Sequence, residues 1–135
     1  MKKIWKMLAL FFCCIFITAC SVKKTDTEKI RDIEFTVLNK EEIPKELKEE
    51  IEKEKKGQMK LSYADQGYLY VVRGYGTKKT TGYSVKVSQC YETKNAVCMK
   101  TILLGPEKGE QIIKKKTFPY VVIKMEYTDK HMIYQ

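Results

Sequence analysis

The segment KKTTGYSVKV, residues 78–87, contains the residue types that most often bind phosphate. Two lysines, two threonines and a glycine lead into an alternating apolar and polar run. A phosphate-binding loop needs a glycine directly before its Lys-Thr pair, a second glycine five residues earlier, and a helix afterwards. Lys78 stands where the nearer glycine should be, and a strand pattern follows, so a phosphate site is excluded. The segment is either a turn between strands or a loop that contacts a partner.

Cys90 and Cys98 could form a disulfide. If residues 93–95 make a three-residue hairpin loop, with Asn95 in the left-handed region, the two cysteines oppose each other. Opposed residues of an antiparallel pair have Cα atoms ~4.5–5.5 Å apart, which suits a disulfide. Such a bridge would stabilise the fold by roughly 2–3 kcal/mol. The alternative, two free thiols, stays open.

The sequence shows no arrangement of residues that is typical of a catalytic site. His131 is the single histidine and lies near the C-terminus, and the serines have no base close in sequence. Three cysteines follow residue 19, without the spacing of a metal cluster. Seven of the seventeen carboxylates are concentrated in one exposed helical segment, residues 41–57, where they favour solubility. We therefore predict that the protein is not an enzyme and uses no metal and no cofactor.

The first twenty residues, MKKIWKMLALFFCCIFITAC, form an export signal. Three lysines precede residues 7–19, which are apolar except for Thr18 and too short for a spanning helix of ~20 residues. Residues 17–20 resemble the lipobox of bacterial lipoproteins, whose cysteine receives diacylglycerol and a fatty acid such as palmitate. The resemblance implies a signal peptide at residues 1–19, lipid attachment at Cys20, and anchoring at the extracytoplasmic face of the membrane. The alternative is an ordinary signal peptide with a chance cysteine.

Charge is distributed unevenly along the 135 residues. Without residues 1–19 the net charge falls from +9 to +6, and the remaining length suits one domain. Residues 20–65 carry eleven basic and twelve acidic side chains, whereas residues 66–135 carry twelve and five. The basic half suits anionic lipid, cell-wall polymers or an acidic partner. A solvated basic face is the plainer interpretation, and export argues against nucleic acid as a partner.

The N-terminal third of the domain is expected to hold its single helix. Residues 20–32 are polar and predict a tether, and residues 33–39 predict a strand. A helix follows, with Pro44 in its first turn and Gly57 beyond its end. Its apolar stripe is narrow, so the helix should cover one side of a core; it consists of Ile43, Leu47 and Ile51.

From residue 59 onward the apolar pattern has period two. A hairpin is predicted to turn at residues 65–67, with further strands in both halves of the remaining sequence. The fold class is therefore mainly β, of the α+β kind: a small antiparallel sheet or sandwich of five to six strands with one amphipathic helix near the N-terminus. The β-rich domain is expected over residues 33–128, followed by a loose tail at residues 129–135.

Two motifs together resemble the C-terminal domain of the PrcB family. They are a glycine followed by a Lys-Thr-Gly-Tyr loop, here Gly76 and residues 79–83, and a closing strand FPYVVIK at residues 118–124. Many members have Gly-Gly-Tyr where this chain has TGY with Thr81. The resemblance covers residues 68–125. It implies a noncatalytic surface lipoprotein that binds and stabilises a partner protease.

A shorter resemblance concerns the loop TTGY, residues 80–83. It is similar to the first of three loops that chagasin-type inhibitors insert into the cleft of papain-type proteases. GPEKG and FPY follow in the same order, without the glycine pair, arginine and tryptophan of that family. This resemblance implies protease inhibition as an alternative function.

Two segments are the candidate contact surface for a protein partner. Tyrosine-rich surfaces suit interfaces, although most of the nine tyrosines are also good strand formers. A structural envelope lipoprotein without a partner is a further alternative. The candidate residues are Lys78, Lys79, Thr80, Thr81, Gly82, Tyr83, Phe118, Pro119 and Tyr120.

Overall fold

The computed structural model describes residues 28–135, so the predicted signal peptide and Cys20 lie outside the described residues. The described chain forms one helix, α1, at Lys45–Glu54, preceded by a 3-10 turn at Lys40–Glu42. The strands β1 to β10 span, in chain order, Arg31–Asp32, Phe35–Val37, Gln58–Asp65, Tyr68–Tyr75, Lys78–Thr80, Ser84–Glu92, Ala96–Leu104, Lys114–Thr117, Tyr120–Glu126 and His131–Tyr134. The mainly β prediction is confirmed, with ten strands rather than five or six because several short strands carry little apolar pattern.

The strands form two four-stranded sheets and one two-stranded ribbon. Sheet I has the order β1-β6-β7-β10 and sheet II the order β2-β9-β4-β3, while β5 and β8 pair only with each other. All pairs are antiparallel except β7 and β10, which are parallel. We call the β5–β8 pair the ribbon. Its strands leave the ends of the two sheets.

Sheet II is the middle layer of the domain. Val71 and Ile123 pack towards sheet I in one apolar core, and their neighbours Val72 and Val122 pack towards α1 in another. Adjacent side chains of a strand point to opposite faces, so β4 and β9 are buried on both sides. This explains why their sequences read as continuous apolar runs, YLYVV and YVVI, instead of alternating.

Helix α1 covers the outer face of sheet II as predicted. Ile43, Leu47 and Ile51 are buried, and the charged residues of the helix face solvent. Two ion pairs at spacing i,i+3, Lys53–Glu50 and Lys55–Glu52, lie on that exposed side. Among residues 28–135, no helix is long and apolar enough to span a membrane.

The β3–β4 hairpin turns where the sequence predicts. Asp65 pairs with Tyr68, and Gln66 and Gly67 between them both have positive φ, of 50° and 83°. Two consecutive left-handed residues are the signature of a type I′ turn, whose twist matches that of the strands. The turn therefore fixes the register of the long β3–β4 pair.

The predicted opposition of Cys90 and Cys98 is wrong. Cys90 pairs with Met99 and Cys98 with Tyr91, so the cysteines lie on opposite faces of sheet I, and both are free thiols. The reason is a tighter turn: the Thr93 N–H donates to the Ala96 carbonyl at 2.8 Å, and the Thr93 hydroxyl accepts from the Ala96 N–H at 3.0 Å. Two residues, 94 and 95, thus lie between the hydrogen-bonded pair Thr93 and Ala96, and the register shifts by one.

Both predicted ends of the domain are corrected by short strands. His131–Tyr134, expected in a loose tail, pairs in parallel with β7, and Met132 and Tyr134 pack against the core between the sheets. At the other end, Arg31–Asp32 falls within the predicted tether but pairs with β6. The alternating apolar residues of the tail hold it in place, because burying them outweighs fraying.

Candidate functional site

The ribbon brings the two predicted contact segments together. Lys78 pairs with Thr117, and the Thr117 hydroxyl donates to the Thr80 carbonyl at 2.7 Å. The Thr81 N–H donates to the Ile113 carbonyl at 3.0 Å, and the Thr81 hydroxyl accepts from the Ile113 N–H, also at 3.0 Å. Residues far apart in sequence therefore form one surface. We call it the loop end: the ribbon with residues 81–83, 105–113 and 118–119.

Gly82 is the closest contact between two loops of this end. Its φ is +96°, and a Cβ at this position would lie 2.6 Å from Glu110 Oε2 and 2.9 Å from Pro106 Cγ. Only glycine adopts this backbone easily, and no side chain would fit against the stiff proline ring. The chain therefore turns tightly at Gly82, directly before Tyr83 and strand β6. The loops at residues 81–83 and 105–113 are packed against each other.

Tyr83 lies between the loop and the start of β6. The ring is half-buried, and Lys78 Nζ lies 5.9 Å from its centroid. A Cβ on Gly105 would be 3.6 Å from the Tyr83 ring, which places the ring beside the second loop. Tyr83 therefore fills the base of the loop end, whereas Lys79 and Gly82 are exposed on it.

The Phe118-Pro119-Tyr120 corner is largely structural. Pro119 is buried, and its carbonyl accepts from the Tyr75 N–H at 3.2 Å. Tyr120 packs against the core under α1, where burial raises the pKa of its phenol. Phe118 is half-buried, with Lys55 Nζ 4.6 Å from its ring centroid. Of the three, Phe118 has the best access to a partner.

Positive charge dominates the loop end. Lys78 and Lys79 lie on β5, and Lys114, Lys115 and Lys116 lie exposed on β8. Within the part of the chain that the structure describes, none of these five lysines forms an ion pair. The three lysines of β8 were not among the predicted contact residues. In the sequence these lysines are visible only as a KKK run, which by itself indicates a solvated segment. Their place beside the predicted contact loop is known only once their partner strand is known.

Two isoleucines next to these lysines are exposed. Ile112 is 47% exposed and Ile113 is 65% exposed, directly before β8. The backbone of Ile113 is held by Thr81 while its side chain is left outside, so its position is fixed. The sequence shows that these residues are apolar, but only the structure shows that they lie uncovered beside the predicted contact loop.

At the far end of β6 the charges are paired. Glu92 accepts from Arg31 and Lys130, and Lys130 also donates to the Thr93 carbonyl at 2.9 Å. The hydrogen bonds from Lys130 and Arg31 lower the pKa of Glu92. A groove of about 1060 Å³ opens beside Arg31, between β1 and β2. We call this region, with the β6–β7 turn, β1 and the start of β10, the hairpin end.

The described chain has few residues that could support acid–base or metal chemistry. His131 lies exposed at the start of β10, directly opposite Ala96. Among residues 28–135, no group of three His, Cys, Asp or Glu side chains is placed to hold a metal ion. The unpaired lysines and exposed isoleucines make the loop end the candidate surface for contact with another molecule.

Comparison with known proteins gives one finding. Residues 69–126 match the family model described as PrcB C-terminal, a segment that runs from β4 to the end of β9 and includes the whole loop end. No curated protein and no solved structure shows a significant match to the chain. Over residues 69–126 the chain therefore carries the pattern of the PrcB C-terminal family, and the resemblance found in its loop and closing strand is confirmed.

Proposed function

We propose that this protein is a noncatalytic lipoprotein of the bacterial cell envelope that binds and stabilises a partner protease. Cys20 carries the lipid, and the loop end contacts the protease. The observation that carries the proposal is the match of residues 69–126 to the PrcB C-terminal family, because that family is associated with protease complexes. All nine predicted contact residues fall inside the matched segment.

The placement of the N-terminus supports this arrangement. The chain enters the domain at the hairpin end, where the Ile30 N–H donates to the Glu92 carbonyl at 2.7 Å. The loop end lies at the other end of β6, whose nine residues span about 30 Å. A lipid at Cys20 would thus hold the hairpin end near the membrane and leave the loop end facing outward.

The decisive experiment captures the protein with its partner. The full-length chain, tagged at its C-terminus, is isolated from detergent-solubilised membranes, and bound proteins are identified by mass spectrometry. A protease should co-purify with the unmodified chain. Replacing Thr80, Thr81 and Tyr83 by alanine should reduce its recovery by about tenfold, as expected for the loss of central interface residues.

A matched variant controls for unspecific effects of three substitutions. Thr36, Ser62 and Tyr127 are exposed, belong to other parts of the fold, and their replacement by alanine should leave recovery unchanged. Thr81→Ser keeps the hydroxyl that accepts from Ile113 and should retain capture, which separates a lost contact from a lost fold. Equal recovery with the loop variant would show that this site assignment is wrong. The absence of any protease from the unmodified sample would refute the function.

Protease inhibition remains a second candidate because three loops converge at the loop end, as in the chagasin arrangement. Gly82 lies against Pro106, and the ribbon holds both loops beside Phe118. Titration of the protein into a papain-type protease assay tests this. Loss of activity that depends on Thr80, Thr81 and Tyr83 would favour inhibition over stabilisation.

The lipid at Cys20 has its own test. A radiolabelled fatty acid should become attached to the unmodified chain and not to Cys20→Ala. Cys20→Ala should also be released from membranes into the soluble fraction. Absence of the label from both proteins would leave an ordinary signal peptide as the explanation of residues 1–20.

A further inference from the structure

We propose that the ribbon is the docking surface for an acidic protein surface, with Ile112 and Ile113 at its apolar centre. This inference rests on the proposed function, since it names the chemistry of the partner at the same end of the molecule. It adds residues that were not among the nine predicted contact residues: the three lysines of β8 and the two isoleucines before them.

The first argument is the unbalanced charge of the ribbon. Lys78, Lys79 and the three lysines at residues 114–116 share two short paired strands, and among residues 28–135 none has an acidic partner in an ion pair. The neighbouring loop adds Lys108, with Glu107 and Glu110 as its acids. Like charges on adjacent strands repel each other, so this arrangement is unfavourable in the free protein. A complementary acidic surface would remove that repulsion.

The second argument is the pair of exposed isoleucines. Ile112 and Ile113 are 47% and 65% exposed, and the Thr81 hydrogen bonds hold the backbone of Ile113. Protein interfaces combine an apolar centre with a polar rim, and a side chain on an ordered backbone loses less freedom on binding. The lysines of the ribbon would form such a rim around them.

The third argument distinguishes a protein from a lipid surface. Lysines beside exposed isoleucines also suit anionic headgroups. However, the chain enters the domain at the hairpin end, about 30 Å from the ribbon along β6. In a protein anchored through its N-terminus, the hairpin end therefore lies nearer to the point of attachment along the chain than the ribbon does. The geometry therefore favours a protein.

Charge reversal at the ribbon tests the inference. Lys114, Lys115 and Lys116 are replaced together by glutamate in the full-length chain. The matched control reverses Lys40, Lys45 and Lys48, three exposed lysines next to or on α1, and changes the net charge equally. Complexes are isolated from solubilised membranes at low and high salt. In a separate sample kept at low salt, a carbodiimide joins lysine amines to carboxylates in direct contact, and the links are mapped by mass spectrometry.

The expected result is a set of links from the ribbon lysines to aspartates or glutamates of one protein. Recovery of that protein should fall by about tenfold in the ribbon variant and at high salt, and should stay within about twofold in the control. Ile113→Ala should lower recovery at both salt concentrations. If the linked protein is not a protease, the acidic-partner inference stands and the proposed function is wrong.

Other outcomes refute the inference. If a protease is recovered equally with the ribbon variant, or is linked only through lysines of α1, the ribbon is not its binding surface. The proposed function would then stand without the ribbon. Capture of nothing by the unmodified chain would overturn both. Binding to phosphatidylglycerol vesicles and to phosphatidylcholine vesicles is measured for both variants. If the ribbon variant keeps its protein partner but loses binding to the phosphatidylglycerol vesicles alone, and the control variant does not, the ribbon binds lipid instead.

Discussion

The two ends of the sandwich treat charge in opposite ways. At the hairpin end, one carboxylate, Glu92, is bonded to Arg31 and Lys130, and Lys130 also bonds the turn at Thr93. At the loop end, five lysines lie on two paired strands, and in the described chain none of them has an ion-pair partner. Both ends are ordered by backbone hydrogen bonds. Only at the hairpin end do the charges contribute to that order.

This difference separates residues that serve the fold from residues that are available for contact. Charges that hold a fold together are expected to be paired, because unpaired like charges destabilise it. The loop end keeps its lysines despite that cost, and it leaves two isoleucines uncovered. The charges of the hairpin end therefore stabilise the fold, although Ile30 and Tyr127 are also exposed there, and the unpaired lysines make the loop end the candidate for contact with a partner.

The largest difference is expected for two isoleucines. Ile123 is fully buried between the sheets, and Ile123→Ala should lower the free energy of unfolding by about 2–5 kcal/mol through the lost transfer energy and the cavity. Ile113→Ala, at an exposed position, should change it by less than about 0.5 kcal/mol. Urea denaturation measures both. A large loss for Ile113→Ala would mean that the loop end is part of the core.

Two glycines test whether the loop end is a packed surface. Gly82→Ala should destabilise by about 2–3 kcal/mol, because the left-handed backbone is strained and the Cβ meets Pro106. Gly109 has a similar φ of +88° with nothing near its Cβ, so Gly109→Ala should cost only the strain, about 1–2 kcal/mol. Equal losses in thermal denaturation would mean that the two loops do not pack together.

The same substitution of two threonines compares the ends directly. The Thr93 hydroxyl accepts from the Ala96 N–H and the Thr81 hydroxyl from the Ile113 N–H, both at 3.0 Å. Thr93→Val leaves a buried N–H without this partner and should cost about 1–3 kcal/mol. In Thr81→Val the Ile113 N–H is open to water, which replaces the lost bond. This substitution should therefore lower the free energy of unfolding by only about 0.5–1 kcal/mol. A reversed order in urea denaturation would contradict the assignment of the hairpin end as structural.

Acid should weaken the hairpin end through Glu92. The bonds from Lys130 and Arg31 lower the pKa of Glu92 in the folded protein, so its stabilising contribution is complete above the unfolded value, ~4.3, and is lost as the pH falls through the lowered folded value. Glu92→Gln should therefore reduce Tm at pH 7, and the difference from the unmodified protein should shrink towards pH 3. Glu49→Gln, on the exposed face of α1, is the control. A difference that does not vary with pH would show that the network is not formed.

The cysteines should contribute no covalent bond to the hairpin end. They point to opposite faces of sheet I, so reduction should leave the intact mass unchanged. Burial, together with nearby Cys98, raises the pKa of Cys90 to about 11, so Cys90 should resist alkylation at pH 8 until the protein unfolds. A mass increase of two hydrogens on reduction would show that Cys90 and Cys98 form a disulfide at the hairpin end.

Local patterns gave the elements that depend on local chemistry. The stripe of α1, the glycine turn at Gly67 and the apolar run of β9 are all readable from neighbouring residues, and the structure has each of them. The short strands β1 and β10 were missed, because two to four residues carry too little periodicity to distinguish a strand from a loose end. The cysteine register failed for a similar reason: a Thr93 hydroxyl, not loop length alone, sets the turn.

For the candidate site, the sequence by itself determined the family pattern and suggested the two candidate contact segments that lie within it, because glycines, prolines and aromatic strand residues are recognisable one segment at a time. Only the tertiary structure decided that the segments meet, that the KKK strand at residues 114–116 pairs with the strand before TTGY, and that Ile113 stays uncovered beside them. Pairing between distant strands is fixed by the packing of both sheets and α1, which no single segment encodes. The tertiary structure also shows that Pro119 and Tyr120 are packed into the fold rather than placed on the candidate contact surface.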